Sequence, residues 1–327
     1  MLELFRPVAT IAAKDIKDAI KDRFIVLMTA FLLLASLVAL AVAAIALKVD
    51  VATYIEAKAN LISLGKDAAS IPDPAFYPLK LLRGFVEHVE ILGAIIGILI
   101  GYRAASSERG RQTLALILTR PIAQWQFLAG KILAGAVIIS AGLVLAFLVA
   151  GIAVTAISGV GLGLDEISRL VVVMSAAGLY ALAFFLLGFV TALWAKKLPN
   201  ALLLAFTVWL SFVLIAPQIG DTLDPDNQVA GGVFRQLNIA KPQQTEILQS
   251  FSTYETIRNG IEVASPTKHF ERLSFAVLGI KDTYAGQPLM PILAEKTSDM
   301  IWLFAIALAF ALLLFARRLD PNRLSKE

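Results

Sequence analysis

The sequence predicts an all-α polytopic membrane protein with six transmembrane helices. Hydrophobic residues make up 58% of the 327 residues and charged residues only 17%, whereas soluble globular chains carry about 45–50% apolar and about 25% charged residues. The apolar residues are also gathered into runs long enough to cross a bilayer. The predicted spans are residues 24–47, 85–105, 132–157, 170–194, 201–216 and 300–316. Pro199 and Pro217 are expected to end the short fifth span, because proline cannot donate into a helix ladder.

Residues 1–23 precede the first span and predict a cytoplasmic amphipathic elbow helix. Ala12, Ile16, Ile20 and Phe24 recur every four residues, and lysines occupy the opposite side. Such a helix is expected to lie in the membrane interface with its apolar face toward lipid. A simple extension of the first span is the alternative. The first apolar run exceeds the roughly 7–15 residues of a signal peptide, so we expect no cleaved leader.

The charge distribution predicts the orientation. An even number of spans places both termini on one side of the membrane. Lysine and arginine outnumber the acids over residues 1–23, 103–131, 195–200 and the tail 317–327 taken together, and the acids are in excess elsewhere. The positive-inside rule therefore places both termini in the cytoplasm, with the chain in the cell (inner) membrane.

Two large extracytoplasmic loops are then predicted, at 48–84 and 217–299. Loops of this length are usually functional or disordered. Apolar residues at helical spacing between 247 and 257 favour helices in the second loop. A break is expected at Ser265-Pro266, because a residue before proline avoids the α region. Loops of this size leave room for an extracytoplasmic partner protein.

The second span carries a ladder of glycines. Gly93, Gly97 and Gly101 recur every four residues on one face. Glycine lets two helix backbones approach closely, which is a main source of helix association in lipid. The partner helix belongs either to the same chain or to a second copy of it, and the sequence does not decide between them.

The same span begins with three ionisable residues. Only twelve residues separate Glu90 from Arg103, which is about 18 Å of helix against about 30 Å of hydrocarbon. Glu87, His88 and Glu90 therefore either line a hydrated outward vestibule or lie at the outer interface without a special role. The vestibule would suit a secondary transporter or channel with these three residues as an ion-coupling cluster. We keep that function as an alternative.

Several kinds of site are not predicted. The chain has no cysteine and two histidines, and it lacks a G-x-x-x-x-G-K-[ST] phosphate loop and an H-E-x-x-H motif. We therefore expect no catalytic residues, no metal site, no cofactor in this chain and no nucleic-acid partner. The expected surroundings of the spans are membrane lipid.

The segment 106–131, "SSERGRQTLALILTRPIAQWQFLAGK", separates the second and third spans. Gly110 is expected to interrupt the helix that leaves the second span, and Arg120-Pro121 to end a short helix after it. A helix restarts in "IAQWQFLAGK", with Trp125 at the headgroup level. A short, basic helix bounded by breakers suits docking into a groove on another protein. An interfacial loop without a partner is the alternative.

This segment resembles the E-x-x-x-x-T-L-x-x-L-L-x-x-P-x-x-R-x-x-x-x-x-G-K pattern of ABC-2 type transporter permeases. The nearest branch is that of the nitrous-oxide-reductase copper-maturation (NosY-like) and gliding-motility permeases. Ile117 replaces a leucine of the pattern, and Gln124 replaces its arginine. The matching residues are Glu108, Thr113, Leu114, Leu118, Pro121, Gly130 and Lys131.

The resemblance implies a permease subunit, not an enzyme, that dimerises and binds P-loop ATPase subunits on the cytoplasmic face. ATP and Mg would then be bound by that partner, whose hydrolysis drives export or force transmission. The stretch 195–200 would be a second, minor ATPase contact. The segment 106–131 would act as the coupling helix, with the ATPase-coupling residues Glu108, Arg109, Arg111, Thr113, Leu114, Leu118, Arg120, Pro121 and Lys131.

Overall fold

The computed structural model of the chain describes residues 2–67, 70–71, 77–110, 122–223, 233–237, 239–250 and 252–316. Within these ranges the regular elements are helical, and six helices are long and apolar enough to cross a membrane. The predicted all-α, six-span membrane architecture is therefore confirmed.

The helices are numbered here in chain order. The first group is α1 (Leu2–Lys21), α2 (Arg23–Ser63), α3 (Arg83–Gly110), α4 (Gln124–Ser158), α5 (Leu164–Trp194), α6 (Leu198–Trp209) and α7 (Ala216–Leu223). The second group is α8 (Val233–Gln236), α9 (Lys241–Ser250), α10 (Ser252–Ala264), α11 (Pro266–Val277), α12 (Leu289–Glu295) and α13 (Thr297–Phe315). We call the end of the bundle where α1 meets α3 and α4 the α1 end, and the opposite end the α11 end.

α1 is a separate helix rather than an extension of the first span, because the chain breaks at Asp22. The Asp22 backbone is extended, and its carboxylate accepts a hydrogen bond from the Phe24 N–H at 2.9 Å, which caps α2. α1 packs along α4, with Val8 and Ala12 buried. Of the predicted apolar stripe, Ala12 is buried against protein and Ile20 is 73% exposed.

α2 extends beyond the predicted first span. That span was placed at residues 24–47, and the helix continues to Ser63 and spans 41 residues. No glycine or proline occurs between residues 48 and 64, so nothing in this polar stretch interrupts the helix. The first breaker is Gly65, with a left-handed φ of 90°.

The fifth span corrects a prediction, since Pro217 does not end it. A π-helical turn, Leu210–Ile215, joins α6 to α7, and the Ala216 N–H bonds to the Ser211 carbonyl five residues back. Proline removes one helix hydrogen bond and its ring clashes with the carbonyl four residues earlier. The wider π-turn accommodates both effects, so the span runs on to Ile219.

The break predicted at Ser265-Pro266 is present, between α10 and α11. Pro266 is the first residue of α11, where its missing N–H costs nothing. The Ser265 hydroxyl donates to the Phe212 carbonyl at 2.6 Å and ties the break to the fifth span. α11 is largely buried against α5 and α13, so this part of the predicted outer loop folds onto the bundle.

The glycine ladder packs α3 against α5 of the same chain. A Cβ at Gly97 would lie 2.4 Å from the Ala181 carbonyl oxygen, and one at Gly101 only 2.0 Å from the Phe185 carbonyl oxygen. Gly93 takes no part, since its Cβ would meet only Val89 Cγ1 at 3.8 Å. The ladder is therefore an intrachain contact at two of its three glycines.

Candidate functional site

A buried ion-pair network joins three helices at the α1 end. Lys131 of α4 is 2% exposed, and its Nζ lies 2.8 Å from Asp15 Oδ2 of α1 and 3.1 Å from Glu108 Oε1 of α3. A buried charge is tolerated only when it is paired and hydrogen-bonded, as here. One lysine thus fixes α1 and α3 to the start of the third span.

Gly130, next to Lys131, lets α1 approach closely enough for this pairing. A Cβ at Gly130 would lie 2.8 Å from Ile11 Cβ and 3.0 Å from the Val8 carbonyl oxygen. Gly130 and Lys131, the Gly-Lys pair of the sequence pattern, therefore contribute to the same contact between α1 and α4. The glycine admits α1 to the surface of α4, and the lysine binds the Asp15 carboxylate that α1 brings with it.

Lys14 extends the network toward the surface. Its Nζ lies 2.8 Å from Glu108 Oε1, and its side chain is half-exposed. Partial burial by itself lowers the pKa of Lys14, but the hydrogen bond and charge of Glu108, with the charges of Asp15 and Asp18, outweigh it and raise the pKa above its ordinary value. Glu108 therefore accepts from two lysines on two different helices.

A cavity of about 370 Å³ lies beside the network. Charged side chains and apolar side chains both line it, so it has a polar and an apolar wall. The charged lining is Lys14, Asp15, Asp18, Lys21, Asp22, Arg103, Glu108 and Lys131. Arg103 forms an ion pair with Asp22 and stacks 4.8 Å from the Phe24 ring centre, which fixes the start of α2 against α3.

Arg109 joins α3 to the end of α5. It is 4% exposed, and its Nη1 donates to the carbonyl oxygens of Ala192 (2.6 Å) and Ala195 (2.8 Å). Its Nη2 donates to the Lys196 carbonyl at 3.3 Å. The last carbonyls of a helix have no intrahelical donor, so Arg109 satisfies the end of α5. It also connects the two regions predicted to contact an ATPase.

The middle of the predicted coupling segment, residues 111–121, lies outside the described residues. This holds for Arg111, Thr113, Leu114, Leu118, Arg120 and Pro121. Its two flanks are described, and Glu108, Arg109 and Lys131 all turn inward to partners within the chain. α4 restarts at Gln124, as predicted. Gln126 Nε2 donates to the Leu4 carbonyl at 2.8 Å, which adds a second tie to α1.

The three residues of the predicted vestibule lie in the first turns of α3. Glu87 is exposed and pairs with Arg83 at 3.1 Å. His88 Nδ1 lies 2.6 Å from the Gly84 carbonyl oxygen of its own helix. At Glu90 the backbone carbonyl accepts a hydrogen bond from the buried Tyr180 hydroxyl at 2.8 Å. The vestibule itself stays a prediction.

Metal ligands do not gather elsewhere in the part of the chain that the structure describes. No three or more His, Asp or Glu side chains in these ranges come close enough to hold an ion. In the charged network at the α1 end, the carboxylates are paired with lysines, and these pairs hold helices together. Oxygen ligands for a hard cation would instead have to gather around one point.

Comparison with known families decides the identity. The family model described as ABC-2 family transporter protein matches residues 9–318. The chain belongs to the ABC-2 transporter family. A comparison with curated proteins finds no significant match. The matched region begins within α1 and ends beyond α13, so it covers the ion-pair network and all six spans of this ABC-2 protein.

Membership gives the coarse function. An ABC-2 protein is the membrane-spanning permease component of an ABC transporter, and the family implies partnership with an ATPase subunit. The transport component is not itself the catalytic one. The six spans and the absent phosphate loop of this ABC-2 chain agree with that division of labour.

Sequence reasoning missed three parts of the site. Asp15 was not singled out, because its spacing of 116 residues from Lys131 gives no local signal. The carbonyl partners of Arg109 lie more than 80 residues away and have no side-chain signature. Gly130 was a matched pattern residue, and its position beside a lysine at the start of a span could have indicated a close helix contact.

Proposed function

We propose that this ABC-2 chain couples ATP hydrolysis in a separate P-loop ATPase subunit to export, or to force transmission, across the cell (inner) membrane. The ATPase would dock on the segment 106–131 from the cytoplasm, where both termini also lie. ATP and Mg would be bound by that partner. The closest functional branch would be the NosY-like one.

The observation that carries this proposal is the anchoring of both flanks of the segment. Glu108 and Arg109 at the end of α3 are tied to α1 and α5, and Lys131 in α4 is tied to α1 and α3. A displacement imposed on the residues between these flanks therefore reaches four helices through buried, charge-assisted contacts. The burial of the three flanking side chains supports a role in transmission for them, and we propose that the residues between them contact the ATPase.

A second copy of the chain completes the proposal. Three of the candidate spans leave most of their apolar window unburied, with 22% buried in α2, 11% in the fifth span and 22% in α13. Lipid can cover such faces, and so can another permease copy. A permease pair offers two coupling segments to two ATPase subunits, which is the arrangement that the family resemblance implies.

The test is site-directed photo-crosslinking in intact membranes. A photoreactive amino acid at Leu114 or Leu118 should crosslink to a P-loop ATPase, and the same residue at Ser250 should not. Because the natural chain has no cysteine, single cysteines also report topology. Ser250→Cys should react with an impermeant thiol reagent from outside, and Ser107→Cys should not. Crosslinking of the ATPase at position 250 alone, or outside labelling at position 107, would refute the proposal.

A further inference from the structure

A buried histidine–carboxylate pair lies at the α11 end, far along the chain from the ion-pair network. His269 of α11 is 2% exposed, and its Nδ1 lies 2.7 Å from Asp299 Oδ1 in the first turn of α13. Its Nε2 lies 2.9 Å from the Val263 carbonyl oxygen of α10. The Trp302 ring stacks on the imidazole, with 5.7 Å between ring centres.

The partners of the two nitrogens fix how many protons the pair holds. A carbonyl oxygen only accepts, so Nε2 must carry a hydrogen. Nδ1 faces a carboxyl oxygen, and a hydrogen bond there needs one further proton, carried either by Nδ1 or by Oδ1. Without that proton, the Nδ1 lone pair would face a negative carboxylate at 2.7 Å. The observed geometry therefore requires one proton more than neutral His269 and ionised Asp299 possess.

The neighbouring charged side chains do not take the place of this proton, because they are paired with one another. The pairs on the surrounding helices are Glu262 with Arg272, Lys268 with Glu271 at 2.9 Å, and Glu295 with Lys296 at 3.0 Å. On α3, the backbone carbonyl of the acidic residue Glu90 accepts a hydrogen bond from Tyr180 of α5. The Tyr180 hydroxyl of α5 also lies 3.1 Å from the Thr267 hydroxyl of α11. The contact between α11 and α5 at this point is therefore made by uncharged groups.

We propose that His269 and Asp299 form a proton-binding site, and that the bound proton latches α11 to α13. One proton enters from solvent and is shared between Nδ1 and Oδ1, and no other bond forms or breaks. Loss of that proton turns an attractive contact into a repulsive one at the joint of three helices. Since α11 packs against α5 and α13, the site makes the outer end of these two spans responsive to pH. This site is independent of the ATPase coupling proposed above.

Nitrogen NMR of histidine tests the protonation state directly. The chain has only two histidines, His88 and His269, so a ¹⁵N-histidine sample gives two sets of ring signals, and His88→Gln assigns them. With the latch closed, the His269 signals should show Nε2–H together with a proton shared between Nδ1 and Asp299, and loss of that proton should leave a neutral Nε2–H form. A signal that stays in one neutral form without that proton at every pH would overturn the proposal.

Asp299→Asn keeps the contact between α11 and α13 but removes the shared proton. The asparagine N–H can donate to Nδ1 while Nε2–H still donates to Val263, so the latch should persist without a titrating proton. Asp299→Ala should release it at every pH. The readout is Ser274→Cys, placed at a fully buried hydroxyl on α11 that has no hydrogen-bond partner among the described residues.

In full-length protein in liposomes, an impermeant thiol reagent should label position 274 faster as pH rises. The ratio of this rate to that in the Asp299→Asn background, taken at each pH, removes the intrinsic ionisation of the thiol. We expect this ratio to rise about tenfold across the titration and the Asp299→Ala background to be labelled fast throughout. A ratio that does not change with pH would contradict the latch, even if the histidine signal titrates.

Discussion

Lys131 forms an almost fully buried ion pair with Asp15, with 2.8 Å between Nζ and Oδ2. The two residues lie 116 positions apart, on α4 and α1. Their contact converts the amphipathic first helix from a surface element into part of the bundle. It also ties one flank of the proposed coupling segment to the start of the chain, so the segment and α1 are expected to move together.

Removing the lysine alone should be costly. Lys131→Met leaves the buried Glu108 carboxylate and the partly buried Asp15 carboxylate without the Lys131 ammonium, which costs about 3–5 kcal/mol. We expect a lower midpoint of thermal unfolding in detergent and easier proteolysis of α1. The matched control is the triple variant Lys131→Met, Asp15→Asn, Glu108→Gln, which removes all three charges and should recover most of the loss. A single variant as stable as the natural protein would contradict the network.

The network should also respond to alkaline pH. Lys14 has a raised pKa because Glu108, with help from Asp15 and Asp18, outweighs its partial burial. A raised folded-state pKa adds stability that is fully present below the unfolded value and is lost as pH rises through the folded value. The stability difference between the natural protein and Lys14→Gln should therefore be constant up to about pH 9 and shrink above about pH 10.4. Thermal unfolding at each pH measures it, and a difference that grows with pH would contradict the shift.

The glycine contacts predict a sharp contrast within one helix. Gly97→Ala and Gly101→Ala place a Cβ against backbone atoms of α5 and should destabilise the fold by about 1–3 kcal/mol. Gly93→Ala is the matched control, since its Cβ has room, and it should be neutral or slightly stabilising. Yield and thermal stability of the purified protein measure the three variants. Equal behaviour of Gly93→Ala and Gly101→Ala would refute the α3–α5 packing.

Arg109 should matter for stability and for coupling together. Arg109→Ala leaves three carbonyls at the end of α5 without a buried donor, which costs about 1–3 kcal/mol. Arg109→Lys offers a single ammonium in place of the forked guanidinium and should recover only part of this. We expect both variants to retain bound ATPase and to lose part of the ATP-driven activity of the complex. Full coupled activity in Arg109→Ala would show that the contact does not transmit force.

The spans could be predicted from sequence because hydropathy is a local property. Each of the six apolar runs became a helix near its expected position. Helix ends were harder to predict from the positions of proline and glycine. Pro217 was expected to stop the fifth span, but one π-turn absorbs it. α2 extends past its apolar run because no glycine or proline interrupts its polar part before Gly65.

The candidate site was predictable in location but not in contacts. The Gly-Lys end of the segment 106–131 marked the place, yet Lys131 bonds to Asp15, which belongs to a different helix. Gly93 and Gly97 look alike in sequence, and only the register of α3 against α5 distinguishes them. Likewise His269 and Asp299 lie 30 positions apart, and their pairing depends on how α11 folds back onto α13. Such contacts are tertiary and leave no periodic signal.

The coupling role of the segment 106–131 is tested by copurification of the P-loop ATPase with three variants. Leu114→Asp and Leu118→Asp should each reduce ATPase recovery at least about tenfold, because apolar anchors dominate protein contacts. Arg111→Ala should reduce it little, since an exposed charge at the rim contributes about 0–1 kcal/mol. Membrane insertion and thermal stability of each variant serve as controls for folding. If both aspartate variants insert normally and retain full ATPase binding and coupled activity, the segment is not the coupling element.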